Sequence, residues 1–294
     1  REENGAMNGS NIARESGINP ESRITVEEYR PEKIAEYIGK DIEKYSKKSL
    51  KRNRRYAVVV SGDSGFFSGA EKIRRALMSE GISVTVLPGI SSVVYFSART
   101  GISWQDAAFV SAHGRALSIA SEVRSHRKTF VLTGPDVSSL MKRLTEYGLG
   151  GVRVLAGERL SFDDERISEG TAEEFSGRSF DPLTVLLILN PDAQAYVPPG
   201  IPDSRMERGR VPMTKREVRA VTMSYLGVRE DSIVYDIGAG TGSVTLEAAL
   251  AARRGHVCAV ERNPEAADLI EKNCRKFAAD NVTVIRGSAP DVFR

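Results

Sequence analysis

Ser232-Ile-Val-Tyr-Asp-Ile-Gly-Ala-Gly-Thr-Gly-Ser-Val-Thr-Leu-Glu-Ala-Ala249 reads as a strand, a glycine turn and a helix. Ile233, Val234, Tyr235 and Ile237 favour a buried strand. Gly238, Gly240 and Gly242 let the backbone turn tightly and come close to a ligand. Val244, Leu246, Ala248 and Ala249 then follow a helical pattern. The spacing is Asp236-x-Gly238-x-Gly240-x-Gly242. It is not the dinucleotide fingerprint, because Ser243 stands where a third glycine of that motif belongs. His256-Val-Cys-Ala-Val260 reads as the next strand, and Glu261 ends it. That is about 20 residues past the loop, where this architecture sets a carboxylate against ribose hydroxyls. A ligand-free packing turn is the plainer alternative.

Taken together, Asp236, the three spaced glycines and Glu261 resemble the S-adenosylmethionine-binding core of the Rossmann-like methyltransferases. The rest of the chain sets bounds on that resemblance. Its 294 residues allow two domains, and 40% apolar with 28% charged residues is ordinary globular composition. A net charge of +3 argues against a nucleic-acid partner. Cys258 and Cys274 give neither metal spacing nor a disulfide framework, which suits a reducing cytosol, and a cytoplasmic protein is expected. His113, His126 and His256 are scattered, so no metal is expected. No apolar run approaches the roughly 18 residues of a membrane span, and no secretory signal is visible.

In chain order, residues 1–24 are polar and turn-rich and read as loosely ordered. Ile24–Tyr29 suggests a short strand. Pro31–Tyr45 suggests a helix with Ile34, Ile38 and Ile42 four apart. A basic run over 47–55 reads as a solvated helix end. Tyr56–Ser61 is an expected strand, followed by the loop Gly62-Asp63-Ser64-Gly65 and a helix over Ala70–Glu80. Ile82–Leu87 is another expected strand, and Ser91 or Ser92 can cap a helix running to Thr100. Strands are then expected at Ala108–Ala112, Thr129–Thr133, Val152–Ala156 and Leu183–Leu189. A helix is expected over Val137–Tyr147 and an edge turn over Ile167–Phe175. Prolines at 191, 198, 199, 202 and 212 mark a linker. Lys215–Leu226 reads as a helix with Val218, Val221 and Tyr225 on one face.

Further motifs sharpen the resemblance. Ser61-Gly-Asp-Ser-Gly-Phe-Phe-Ser-Gly69, Leu87-Pro-Gly-Ile-Ser-Ser92, Trp104-Gln-Asp-Ala107 and Ala112-His-Gly-Arg115 resemble the tetrapyrrole methylase family, in particular its corrin C-5 methyltransferase branch. Gly200-Ile-Pro-Asp-Ser204, Val211-Pro-Met-Thr-Lys-Arg-Glu-Val-Arg219 and Asp236–Gly242 are similar to the decarboxylating C-15 methyltransferases. The resemblance spans roughly residues 25–294. It implies an α/β chain: a tetrapyrrole methylase fold of two αβα subdomains lacking its N-terminal part, over 25–190 and split near 116–128. A linker at 191–211 and the first half of a Rossmann-like domain at 212–294 follow. The family's opening strand and G-x-G-x-G loop have no match in residues 1–55, Ser64 stands where many relatives have proline, and the second domain ends at Arg294. A fragment at both ends is therefore expected.

The resemblance also implies S-adenosylmethionine-dependent methylation of a precorrin or cobalt-precorrin ring at C-5 and C-15. Loss of the ring C acetate carboxylate accompanies it, in cobalamin biosynthesis. Cofactor contacts are expected from Gly62, Asp63, Ser64, Gly65, Ser91 and Ser92 in the first domain. In the second they are expected from Thr214, Asp236, Gly238, Ala239, Gly240, Thr241, Gly242, Glu261 and Ala289. Ser91 and Ser92 serve equally as helix caps. His113 is a candidate substrate contact, and a structural histidine is its alternative. No general base is assigned, and a homo-oligomer is expected. The rival readings are a methyltransferase of another tetrapyrrole or small molecule, and a non-catalytic fragment that keeps cofactor binding.

Overall fold

A computed structural model describes residues 26–46, 56–112, 118–134, 136–194 and 197–293. The chain divides into two compact units between Gly89 and Ile90.

The first unit is built on two helices. Helix α1 (Pro31–Ser46) and helix α2 (Ala70–Ser79) each carry apolar residues four apart. Ile34, Ala35 and Ile38 of α1 pack against Ile73 and Leu77 of α2, with Val60, Ile82 and Val84 at the margin. Ile42, in phase with that stripe, stays exposed. The strands expected at Tyr56–Ser61 and Ile82–Leu87 carry no ladder, and residues 26–29 are irregular too. A strand exists through its hydrogen-bonded neighbour. Among the described residues these stretches have none, and Val59 and Leu87 lie exposed. The two stretches come together at their ends, where a Cβ on Gly89 would stand 2.3 Å from the Gly62 carbonyl.

The second unit opens with helix α3 (Ser92–Thr100), closed by Gly101 in the left-handed region. A five-stranded mixed sheet follows. Its strands are β1 (Ala108–Ser111), β2 (Lys128–Leu132), β3 (Arg153–Glu158), β4 (Arg166–Thr171) and β5 (Thr184–Leu189), in spatial order β1-β2-β5-β3-β4. β1 and β2 are parallel, and β5 runs antiparallel to both β2 and β3. The split expected near 116–128 is not seen, because β1 and β2 lie on either side of that stretch and pair in one sheet. Helices α4 (Ile119–Ser125), α5 (Val137–Glu146) and α6 (Ala172–Phe175) cover one face. Ile119, Val123, Met141 and Leu144 pack there on Val131, Val154, Leu186 and Ile188. Phe96 of α3 meets Phe130 edge-on at 6.4 Å on the other face. The stretch expected as an edge turn is β4 followed by α6, which starts with a reciprocal capping pair between Thr171 and Glu174.

The same unit continues into a three-stranded parallel sheet, β6 (Ile233–Ile237), β7 (His256–Glu261) and β8 (Val282–Arg286). Helix α7 (Arg216–Leu226) precedes it. Helices α8 (Ser243–Ala251) and α9 (Pro264–Lys276) make the crossovers. Leu246, Val257, Ala259 and Ile270 lie at its core, joined by Ile201 and Met206 from the expected linker. That stretch is thus packed in part. Val218, Val221 and Tyr225 share a face of α7, but the face is exposed, and Arg219 and Met223 point inward. β6 was expected to be buried, yet Ile233, Tyr235 and Ile237 are exposed. Among the described residues β6 pairs only with β7, which leaves one edge uncovered. No helix among the described residues is long and apolar enough to cross a membrane.

Candidate functional site

Three loops meet at the carboxyl ends of the three parallel strands, where α/β sheets hold ligands. The first is Gly238–Gly242. All three glycines have positive φ, 78° at Gly238, 57° at Gly240 and 73° at Gly242, which side chains resist. The Gly238 and Ala239 amides both donate to the Val260 carbonyl, at 2.9 and 3.1 Å, and so tie the loop to the end of β7. A Cβ on Gly242 would stand 2.8 Å from Ile270 Cγ1, so this glycine lets α9 pack closely. A Cβ on Gly238 would meet open space. Thr241 is buried, and its carbonyl accepts the Asn273 side-chain amide at 3.1 Å.

Glu261 follows β7. Its Oε2 accepts the Gly240 amide and its Oε1 the Asn263 amide, both at 2.8 Å. Burial pushes its carboxyl up, but the amides of Asn263, Gly240 and Arg262 outweigh that and hold it below the ordinary carboxylate value. Asp236 ends up elsewhere in the network. Its Oδ2 accepts the Thr245 hydroxyl at 2.5 Å, and it also takes the Thr245 backbone amide in the first turn of α8. Burial raises the Asp236 carboxyl above its ordinary value.

The third loop is Gly287–Pro290, which carries the exposed Ala289. The Gly287 amide donates to the Glu261 carbonyl at 3.0 Å, which sets this loop beside the acid. Thr214 belongs to the segment over the glycine turn, since a Cβ on Gly240 would lie 3.6 Å from the Pro212 carbonyl. Thr214 is exposed, and its own carbonyl accepts the Arg219 guanidinium. The structure therefore brings the glycine turn, Glu261 and Gly287 together, with Pro212, two residues before Thr214, against Gly240.

The residues expected in the first domain divide between the two units. In the first unit Asp63 Oδ1 accepts the Gly65 amide at 2.6 Å, Gly62 has φ of 70°, and the Ser64 hydroxyl donates to the Leu87 carbonyl at 3.3 Å. In the second unit Ser91 is buried and its hydroxyl accepts the Val94 amide at 3.2 Å, which makes it the N-cap of α3. Ser92 is the first residue of that helix. His113 lies outside the described residues. Among the described residues no group of histidine, cysteine and carboxylate side chains could hold a metal.

Two buried polar anchors escaped the sequence reading. Arg219 is fully buried; its Nε donates to Glu247 at 2.9 Å and its Nη1 to Asp203 at 2.8 Å, and Nη2 reaches the Ile201 carbonyl. Glu247 in turn accepts the Gly200 and Ile201 amides at 2.8 and 3.0 Å. Asn273 joins the Glu207 backbone to Thr241. A signal for the first pair was present. Arg219 stands four residues before Met223 on one face, and Glu247 is the one charged residue of α8.

The family model described as Tetrapyrrole (Corrin/Porphyrin) Methylases matches residues 11–176, more than half of the chain. The chain belongs to that family. A second model, described as a precorrin methyltransferase domain, matches residues 208–294 of this tetrapyrrole methylase. It is 34% identical to the Sinorhizobium precorrin-6Y C(5,15)-methyltransferase [decarboxylating] over 251 residues, 82% of this chain and 59% of that one. A stretch of 101 residues, 33% of this chain and 52% of the relative, is 49% identical to a probable cobalt-precorrin-6B C(15)-methyltransferase (decarboxylating) of Pyrobaculum calidifontis. A solved precorrin-6y C5,15-methyltransferase from Geobacter metallireducens is 42% identical over 32% of this chain and 51% of that one, with a TM-score of 0.31. The chain spans between half and three fifths of the length of these relatives.

Proposed function

We propose that the chain takes part in S-adenosylmethionine-dependent methylation of a precorrin or cobalt-precorrin ring at C-5 and C-15, with loss of the ring C acetate carboxylate. The observation that carries this reading is the convergence of Gly238–Gly242, Glu261 and Ala289 at the ends of three parallel strands, inside the stretch matched as a precorrin methyltransferase domain. The division of labour follows the chain: C-5 chemistry in 25–190, a connecting stretch at 191–211 and C-15 chemistry in 212–294. The reading includes a homo-oligomer working in the cytoplasm.

The second site fits the cofactor. Gly238 leaves open space beside the loop, Gly242 contributes no side-chain cap to α8, and Glu261 is held ionised. The glycine turn would lie under the methionine moiety, with the positive end of α8 favouring its carboxylate. Glu261 would accept from the ribose hydroxyls, Ala289 would lie beside the adenine and Thr214 would close over the loop. When bound, the cofactor supplies a methyl group on a sulfonium. What the chain supplies is alignment of a ring carbon with that methyl. In the first domain Gly62, Asp63, Ser64, Gly65, Ser91 and Ser92 would play the corresponding part, with His113 toward the ring. The conjugated macrocycle can accept the electrons released by decarboxylation, so the protein needs to orient more than to react.

Equilibrium dialysis tests the two-site reading, and two molecules of S-adenosylhomocysteine per chain are expected. Incubation of the full-length protein with the ring substrate and S-adenosylmethionine, followed by mass spectrometry, should show methyl gain and carbon dioxide release. A chain that binds no S-adenosylhomocysteine would overturn the proposal.

A further inference from the structure

The turn between α9 and β8 makes contacts outside its own sheet. Ala278, with φ of 50°, is buried in the core formed by α4, α5 and the five-stranded sheet. Asp280 follows with its side chain fully buried. Oδ2 accepts the Ala120 amide and Oδ1 the Ser121 amide, each at 3.0 Å, at the start of α4. Arg143 of α5 donates from Nε to Oδ2 and from Nη2 to the Asp280 carbonyl, both at 2.9 Å. The Ser121 hydroxyl reaches the Ala278 carbonyl at 3.4 Å. The next residue faces the other way. Asn281 Nδ2 donates to the carbonyls of Ala249 and Ala252, at 3.0 and 2.8 Å, at the end of α8. The Asn281 carbonyl accepts the Val257 amide at 2.9 Å.

We propose that Ala278–Asn281 is a docking peg that locks the three-stranded sheet onto the five-stranded one, with Asp280 and Asn281 fixing α8 relative to α4. The socket is specific for an acidic turn. It offers two amides of one helix start and one guanidinium, and Asp280 meets all three with charge-assisted bonds. A carboxylate buried this completely is retained only with such partners. α4 is held at its other end as well: the Asn190 side chain donates to the Val123 carbonyl at 2.8 Å, and the Gln194 amide to the Arg124 carbonyl at 2.8 Å. The helix that follows the glycine loop and the helix that follows β1 are thus braced by adjacent residues of one turn. The two sheets of the second unit then behave as one body.

The test uses the full chain. Hydrogen exchange of Ala120 and Ser121 should quicken about tenfold or more in Asp280→Ala, the loss expected for bonds to a charged group, with β2 unchanged. Scanning calorimetry reads docking apart from capping. The second unit of the parent should unfold in one transition, and Asp280→Ala should resolve it into two. Arg143→Met leaves the two amide bonds in place. It should give a smaller change in the same direction, and it carries the test if Asp280→Ala does not fold. Unchanged exchange at Ala120 and Ser121, or a single transition retained by the variants, would overturn the peg.

Discussion

Glu261 Oε2 holds the Gly240 amide at 2.8 Å, so the acid that ends β7 shapes the turn that ends β6. Its other oxygen holds Asn263 at the start of α9. A carboxylate oxygen has a second lone pair. Glu261 can therefore brace the turn and still meet a ligand hydroxyl.

Glu261→Ala removes both roles. Hydrogen bonds to a charged group are worth about 1.5–3 kcal/mol, so S-adenosylhomocysteine affinity should fall about tenfold or more. Isothermal titration calorimetry measures it, and an unchanged affinity would take Glu261 out of the site.

The same carboxylate sets an acid limb. Its folded pKa lies below the ordinary 4.5. Its stabilisation is therefore complete above 4.5 and is lost as pH falls through the lower folded value. Asp236 runs the other way. Its folded pKa lies above 3.8, so its ionisation costs stability as pH rises from 3.8 through the raised value. Urea unfolding of the parent and Glu261→Gln should show the largest gap near neutral pH and a narrowing gap below 4.5.

The glycines of the turn are not equivalent. Gly242→Ala combines left-handed strain with a Cβ 2.8 Å from Ile270, an expected loss of about 2–4 kcal/mol. Gly238→Ala meets open space and should cost only the strain, about 1–2 kcal/mol, while crowding the cofactor. Urea midpoints rank the two, and equal losses would contradict the packing role of Gly242.

Arg219→Met should leave Glu247 as a buried charge short of its cation. Such a break costs about 3–5 kcal/mol. Arg219→Met with Glu247→Gln should recover part of that loss in chemical denaturation, and no recovery would mean that the ion pair is not what is lost.

Helices α2, α3, α5 and α7 and strands β1, β2, β3 and β5 were legible, because apolar spacing and caps are local. Ser91 and Gly101 bound α3 where expected, and Asp236 to Gly242 form the turn. What failed depended on neighbours. Tyr56–Ser61 has strand composition but no ladder among the described residues, and α7 turns a charged residue inward because Glu247 waits there. Glu261 was legible as the acid that ends β7, but its grip on Gly240 was not, since an oxygen's partner is set by folding. Ser91 was open between cofactor contact and cap, and the structure uses it as a cap.

β5 lies between β2 and β3, paired with β3 along its whole length and with β2 over Val185–Leu189. On a chain leaving the ribosome, β1 with β2 and β3 with β4 can each form a two-stranded ribbon. Two-stranded sheets are marginal in water. Leu186 and Ile188, fully covered in the finished protein, seal the seam from the last-made strand. The layer therefore stays open until synthesis has passed Leu189. The nascent stretch before that point has two bare strand edges facing a common gap, and this is when a holding chaperone would matter most.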